Sequence, residues 1–291
     1  MKKSGSFPHF SGHHSDGGGG SNTPSCPLKS ASLPSARLVS QVFHTDSSVP
    51  SVAVTHMVTQ WGQFLDHDIT LTPENEAEHC CDATPDEECY AVGVSPSDTF
   101  YGLKNVECLD FSRSVAYCEA NGGPRQQING ITSFVDASNV YGSEESTASS
   151  LRTFVDGKML TGDANLLPQI NGIETAGDVR ALEMPGLATM HTLFLREHNR
   201  LADMIKALRP SYSDEKIYQN ARRILIGEYQ NVVYGQYLST VLGKSTTNSY
   251  GLTPNAEGTS YDPSIDPSMS NEFATAAYRF GHSMIQGDAY V

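Results

Sequence analysis

The chain has 291 residues, 38% of them hydrophobic and 18% charged, with 33 acidic against 19 basic side chains and a formal net charge of −14 at pH 7. That length allows one large domain or two smaller cores. The acid excess argues against a nucleic-acid partner, which needs clustered lysine and arginine against phosphate, and no apolar run approaches the roughly 18–20 residues of a membrane span.

Residues 1 to 30 read as a flexible Gly/Ser/His-rich leader, with Gly17 to Gly20 and His9, His13 and His14. Met1-Lys2-Lys3 is basic, but no apolar stretch follows it, so no secretory signal is visible. No usable Asn-x-Ser/Thr sequon occurs either. Order is expected from about residue 31, near Leu33 to Val39. A first helix is predicted over residues 51–69, with Val54, Val58, Trp61 and Leu65 on its apolar stripe.

Residues 70–128 look irregular and cross-linked. Cys80, Cys81, Cys89, Cys108 and Cys118 cluster in an acidic, turn-rich stretch, which points to disulfide stapling and an oxidising compartment. Zinc is the alternative for His79, Cys80, Cys81 and Cys89, although the paired C-x-x-C spacing of structural zinc sites is missing. The connectivity is open; Cys26 pairs with one of the five or with a segment outside this chain.

Residues 132–140 suit a short strand or an extended loop, and 146–152 a short helix followed by polar turns to residue 177. The strongest helical signal covers residues 186–208, where Leu187, Met190, Phe194, Leu201, Ile205 and Leu208 keep a near-3.6 period that Arg209-Pro210 ends. Ser213 then caps a helix expected to reach residue 242, with Asp214 and Glu215 favourably placed in its first turn. Residues 243–270 read as loop. A last helix, from about residue 270, carries Phe273, Ala277, Phe280 and Met284. The pattern is mainly α, without an internal repeat.

Four segments carry chemistry. In Trp61-Gly62-Gln63-Phe64-Leu65-Asp66-His67-Asp68, helical spacing stacks Gln63 and His67 on one face with Asp66 beside them, while Asp68 points elsewhere. Thr132, the Phe134 carbonyl, Asp136 and Ser138 form a set of hard oxygen donors suited to Ca²⁺, and Asp68 would raise its anionic count. In the segment Asp178 to Pro185, Arg180 and Glu183 lie one turn apart: either a surface ion pair or a cation and a carboxylate facing a ligand. In Arg279-Phe280-Gly281-His282, Gly281 removes a side chain where a flat ligand could approach, and His282 is placed as a core histidine or an axial ligand to haem iron.

Together, WGQFLDHD at 61–68, TSFVDASNVYGS at 132–143, the stretch at 178–202 and YRFGH at 278–282 resemble the animal haem peroxidase family, including peroxidasin and peroxinectin-like enzymes. The resemblance implies a mainly α fold with disulfide-stapled loops, carried here as a partial domain over residues 31–291 that is incomplete at its C-terminal end. It implies His67 as distal acid–base, Gln63 as its polar neighbour and Arg180 as the distal arginine. Asp66 and Glu183 resemble the carboxylates that form ester links to haem b, Met184 matches a branch in which sulfur joins a vinyl group, and Arg279 lies beside the cofactor. His282 resembles the proximal iron ligand, and Asp68, Thr132, Phe134, Asp136 and Ser138 the calcium shell.

The implied activity is oxidation of a halide, phenol or other small donor by hydrogen peroxide through a ferryl intermediate, in a secreted protein. The alternatives are a non-catalytic, calcium-stabilised adhesion or interaction module and a cysteine-rich zinc module. The family's helices that close the pocket, and the asparagine that supports the proximal imidazole, lie beyond residue 291. Their place would be taken by a further segment or an oligomer partner.

Overall fold

Ser35 opens the first ordered element by accepting a hydrogen bond from the Leu38 N–H at 3.3 Å, and α1 runs over Ala36–Phe43. This computed structural model describes residues 34–44, 47, 49–75, 77–117, 125–254 and 261–285; the leader expected over residues 1–30, Cys26 and Cys118 lie outside them. α2 spans Met57–Ile69 and starts six residues later than the pattern suggests. Residues 51–56 form bends instead, because Val52 and its neighbours meet no apolar surface that would offset the low helix propensity of β-branched residues.

The expected irregular excursion follows. β1 (Val92–Gly93) pairs antiparallel with β2 (Cys108–Leu109), and β3 (Ala116–Tyr117) with β4 (Gln126–Gln127). Disulfides join Cys80 to Cys89 and Cys81 to Cys108, so these thiols do not serve as zinc ligands. The segment at 132–140 is neither strand nor extended. It bends through residues 133–136, passes Ala137 in the left-handed region at φ 57°, and enters the short helix α3 (Ser138–Tyr141). α4 covers Glu145–Ser150. The polar stretch after it contains a small hairpin, β5 (Gln169–Ile170) against β6 (Ile173–Glu174), turned by Asn171 and Gly172 at φ 54° and 81°.

α5 spans Pro185–Leu208, close to its expected limits, with proline at the first helical position where no N–H is needed. α6 spans Asp214–Val232 and is capped by Ser213 as expected. Its continuation to residue 242 is broken by a π-helical turn at Val233–Tyr237 before α7 (Leu238–Leu242). Residues 243–270 are not all loop: α8 forms over Lys244–Ser249. There the Thr247 and Ser249 hydroxyls bond back to main-chain carbonyls, so a polar sequence sustains a short helix.

The expected last helix divides. α9 covers Asn271–Thr275, and a 3₁₀ segment covers Ala277–Met284. Arg279 Nε donates to the Ala274 carbonyl at 2.9 Å, taking the acceptor that a continuous α-helix would give to the residue-278 N–H.

The core lies where α2, α5 and α6 meet. Ile217, Ala221, Leu225 and Tyr229 form an i, i+4 stripe on α6, facing Leu187, Phe194 and Leu195 of α5 and Trp61 and Phe64 of α2. Phe64 stacks on Phe194 at 5.1 Å between ring centroids and meets Tyr229 edge-on at 5.7 Å. His198 of α5 is fully buried, between the Tyr141 hydroxyl at 2.8 Å from Nδ1 and the Gly157 carbonyl at 2.9 Å from Nε2. A neutral ring satisfies both, with Nε2–H donating to Gly157 and Nδ1 accepting from Tyr141.

Burial lowers the His198 pKa to about 4. The folded value lies below the unfolded one of about 6.5, so stability is full above pH 6.5 and falls as pH drops toward 4. Replacing His198 by Gln should therefore destabilise the chain at pH 7. The gap to the parent, measured by urea unfolding, should narrow by up to about 3 kcal/mol at pH 4; a gap independent of pH would refute this assignment.

Candidate active site

The last turn of α2 carries three consecutive ionisable residues, and all three are buried: Asp66, His67 and Asp68. Their helical spacing turns them toward three different parts of the chain. Asp66 Oδ2 pairs with Arg279 Nη1 at 3.2 Å and lies 3.8 Å from Arg180 Nη1, whereas Oδ1 is buried without a hydrogen-bond partner. Burial pushes the Asp66 carboxyl up to about 6, against the pull of the two arginines. His67 Nδ1 stands 3.8 Å from Asp178 Oδ1, and Nε2 stands 3.7 Å from Glu183 Oε2. Burial, with the Arg180 charge adding to it, lowers His67 to about 3, so the ring is neutral at pH 7.

Asp66, His67, Glu183 and Arg279 border an open cavity between α2 and the 3₁₀ segment at Ala277–Met284. Gln63, Asp66, His67, Glu183, Arg279 and His282 all line it. Gln63 Nε2 donates to Glu183 Oε2 at 3.2 Å. In the 3₁₀ segment residues three apart eclipse, so Arg279 and His282 fall on one face, as their spacing predicts. His282 is exposed, whereas His67 is buried.

Two expected members stand outside the lining. Met184 is the N-cap residue of α5 and packs against the hydrophobic core. Arg180 is not among the residues that line the cavity, and its acidic neighbours are Asp178 and, at 3.8 Å, Asp66 rather than Glu183. It makes a two-pronged contact with Asp178 through Nε at 2.9 Å and Nη2 at 2.8 Å, and Nη1 donates to the Thr70 carbonyl at 3.0 Å. The buried Asp178 next to it offers a better-desolvated partner than the half-exposed Glu183.

Asp68 reaches the loop at 132–138. Its Oδ2 accepts the Ala137 N–H at 3.2 Å and its Oδ1 the Ser138 hydroxyl at 3.1 Å. The Thr132 hydroxyl donates to both Asp136 oxygens at 3.0 and 3.1 Å and lies 3.3 Å from Ser138 Oγ. Phe134 occupies the same turn and is exposed. The four polar side chains thus converge, though through a bent loop rather than the extended alternation expected. Burial and the neighbouring Asp136 push Asp68 up to about 7, a repulsion that a cation between the two carboxylates would reverse. Among the described residues no three His, Cys, Asp or Glu side chains form a metal centre, so hydroxyls and carbonyls have to complete any cation shell here.

Nothing in the sequence pattern marks Tyr237, Tyr278 or Asp178. Tyr237 and Tyr278 line the cavity, and Tyr278 Oη donates to the Gly62 carbonyl at 3.3 Å. Tyr237 arrives there from the π-helical turn, which breaks the 3.6 period by which a helix face is read.

The sequence model of the animal haem peroxidase family matches residues 15–291. The chain belongs to that family. It is 35% identical over 305 residues to a peroxidase of Drosophila melanogaster, covering 92% of this chain and 44% of that one. To myeloperoxidase of Mus musculus it is 38% identical over 307 residues, covering 91% and 41% respectively. The chain therefore spans less than half the length of these relatives. Among solved structures, peroxidase A from Dictyostelium discoideum superposes with a TM-score of 0.71 at 27% identity, over 87% of this chain and 52% of that one.

The glycine in WGQF has a steric reason: a Cβ on Gly62 would stand 2.7 Å from the Tyr237 hydroxyl. Gly62→Ala should displace Tyr237 and lower the thermal midpoint by several degrees, at about 1–3 kcal/mol. Adding Tyr237→Phe should recover most of that loss, because the ring carbon behind the hydroxyl is 3.6 Å away. Equal midpoints for the single and double variants would contradict this packing.

Proposed function

We propose that this chain is the haem-binding part of a peroxidase that uses hydrogen peroxide to oxidise a small donor such as a halide or phenol. The observation that supports it most is the single cavity bordered by His67 of α2 and His282 of the 3₁₀ segment, residues far apart in sequence. The lining fits haem b on chemical grounds. His282 offers an imidazole to iron, Arg279 a cation to a propionate, and the unpartnered Asp66 Oδ1 and Glu183 offer carboxylates at the edge. Met184, outside the lining, has no part in this reading.

Haem supplies the redox-active iron; the chain supplies proton management and charge. His67, held neutral, takes a proton from one peroxide oxygen and returns it to the departing oxygen. Gln63 keeps the entrance polar and holds Glu183. The Arg180 guanidinium, one layer behind the lining, offers a fixed positive field against the negative charge that develops as the O–O bond breaks. Ca²⁺ in the shell of Asp68, Thr132, Phe134, Asp136 and Ser138 would lock residue 68 and thereby its neighbour His67. The Cys80–Cys89 and Cys81–Cys108 disulfides suit an extracellular or otherwise oxidising compartment, and no helix among the described residues is long and apolar enough to cross a membrane.

The full chain with Ca²⁺ and added hemin should show a Soret band and peroxide-dependent oxidation of a phenol. His282→Ala should abolish the band, and His67→Ala should keep it while lowering kcat/KM for peroxide about 10²- to 10⁴-fold. A band without turnover would favour the non-catalytic, calcium-stabilised module, for which the oxygen cluster around Asp68 and Asp136 speaks independently of the cavity. No band would remove haem from the account. Asp136→Ala should weaken calcium retention in equilibrium dialysis, and unchanged retention would sink the calcium assignment.

A further inference from the structure

We infer that Asp178 is a positioning residue for this site: its carboxylate fixes the Arg180 guanidinium and biases the His67 ring toward its Nδ1–H form, leaving Nε2 free on the cavity side. The inference deepens the proposed peroxidase reading and rests on it. Asp178 is buried, and its oxygens accept the Arg180 main-chain N–H at 2.9 Å, Nε at 2.9 Å and Nη2 at 2.8 Å.

A carboxylate so placed gains charge-assisted, forked bonds that an exposed acid would share with water. The bonds also aim the guanidinium. Its remaining donors reach the Thr70 carbonyl at 3.0 Å and the His67 carbonyl at 3.5 Å, so the 178–180 turn is braced against the end of α2.

Asp178 acts on the imidazole as well. His67 Nδ1 has no hydrogen-bond partner, and Asp178 Oδ1 stands 3.8 Å away. That is too long for a hydrogen bond. It is close enough for the negative charge, in a buried setting, to favour a proton on the nitrogen facing it. The opposite nitrogen, Nε2, faces Glu183 Oε2 at 3.7 Å on the cavity side, but that carboxylate is half exposed and screened by solvent, so the buried Asp178 exerts the stronger pull on the ring proton. One carboxylate thus governs where the guanidinium points and which ring nitrogen carries the lone pair.

The test uses the full 291-residue chain labelled with ¹⁵N-histidine and ¹⁵N-arginine, studied by NMR with and without hemin. In the parent, His67 should carry its proton on Nδ1, and Arg180 Nε–H should exchange slowly. Asp178→Asn should shift the His67 ¹⁵N signals toward the Nε2–H form or a mixture, and speed Arg180 Nε–H exchange at least about tenfold. Arg180→Lys keeps the acid beside the ring, so it should remove the brace while leaving the Nδ1–H form in place.

With hemin bound, Asp178→Asn should lower kcat/KM for peroxide about tenfold or more and leave the KM for the donor unchanged. A folded Asp178→Asn variant with unaltered His67 signals and unaltered exchange would overturn the inference. So would a parent whose His67 proton sits on Nε2, a result that needs no variant to fold. Because the NMR arms do not require hemin, failure to bind it would sink the peroxidase reading and leave this inference to be decided separately.

Discussion

Burying three adjacent ionisable side chains at the end of one helix is the demand around which this structure is arranged. An unpaired carboxylate in a protein interior is disfavoured by several kcal/mol, and Asp66 and Asp68 both sit there with a neutral imidazole between them. Each is met by a different segment. Arg279 arrives from the 3₁₀ segment for Asp66, the 178–183 turn flanks His67, and the loop at 132–138 receives Asp68. Segments that are distant in sequence are thereby fixed around one cavity, and the α2–α5–α6 aromatic core holds the helix itself still.

The cluster also couples two regions that look separate in sequence. Asp68 accepts hydrogen bonds from the main chain at Ala137 and the hydroxyl of Ser138, directly next to the His67 that faces the cavity. Asn139 then donates to the Phe64 carbonyl at 2.7 Å, tying the same loop one turn further back on α2. A cation bound at the loop would therefore act on the position of the imidazole through rigid backbone rather than through its field alone.

Much of this is legible in the sequence, and the reasons differ by element. α5 was clear because a long 3.6-period stripe is closed by Arg209-Pro210. Ser213 announced α6 through its cap. The start of α2 is not legible, because a stripe of β-branched residues looks helical whether or not a core is there to receive it. The convergence of Thr132, Asp136 and Ser138 was foreseen, but its route was not: Ala137 adopts a left-handed conformation that alanine composition does not announce. Disulfide partners were open because spacing does not encode which cysteines approach. Asp178 does not stand out in the sequence, because the Arg180 it holds reaches carbonyls over a hundred positions away at the end of α2.

The central claim is that His67 and His282 face a single bound porphyrin. A crystal structure of the full chain with hemin and Ca²⁺ tests it most directly. The account predicts iron bonded to a His282 ring nitrogen, with His67 on the other side of the ring and not bonded to it. Iron bound through His67, or hemin seated on another surface with the α2 cavity unaltered, would contradict it.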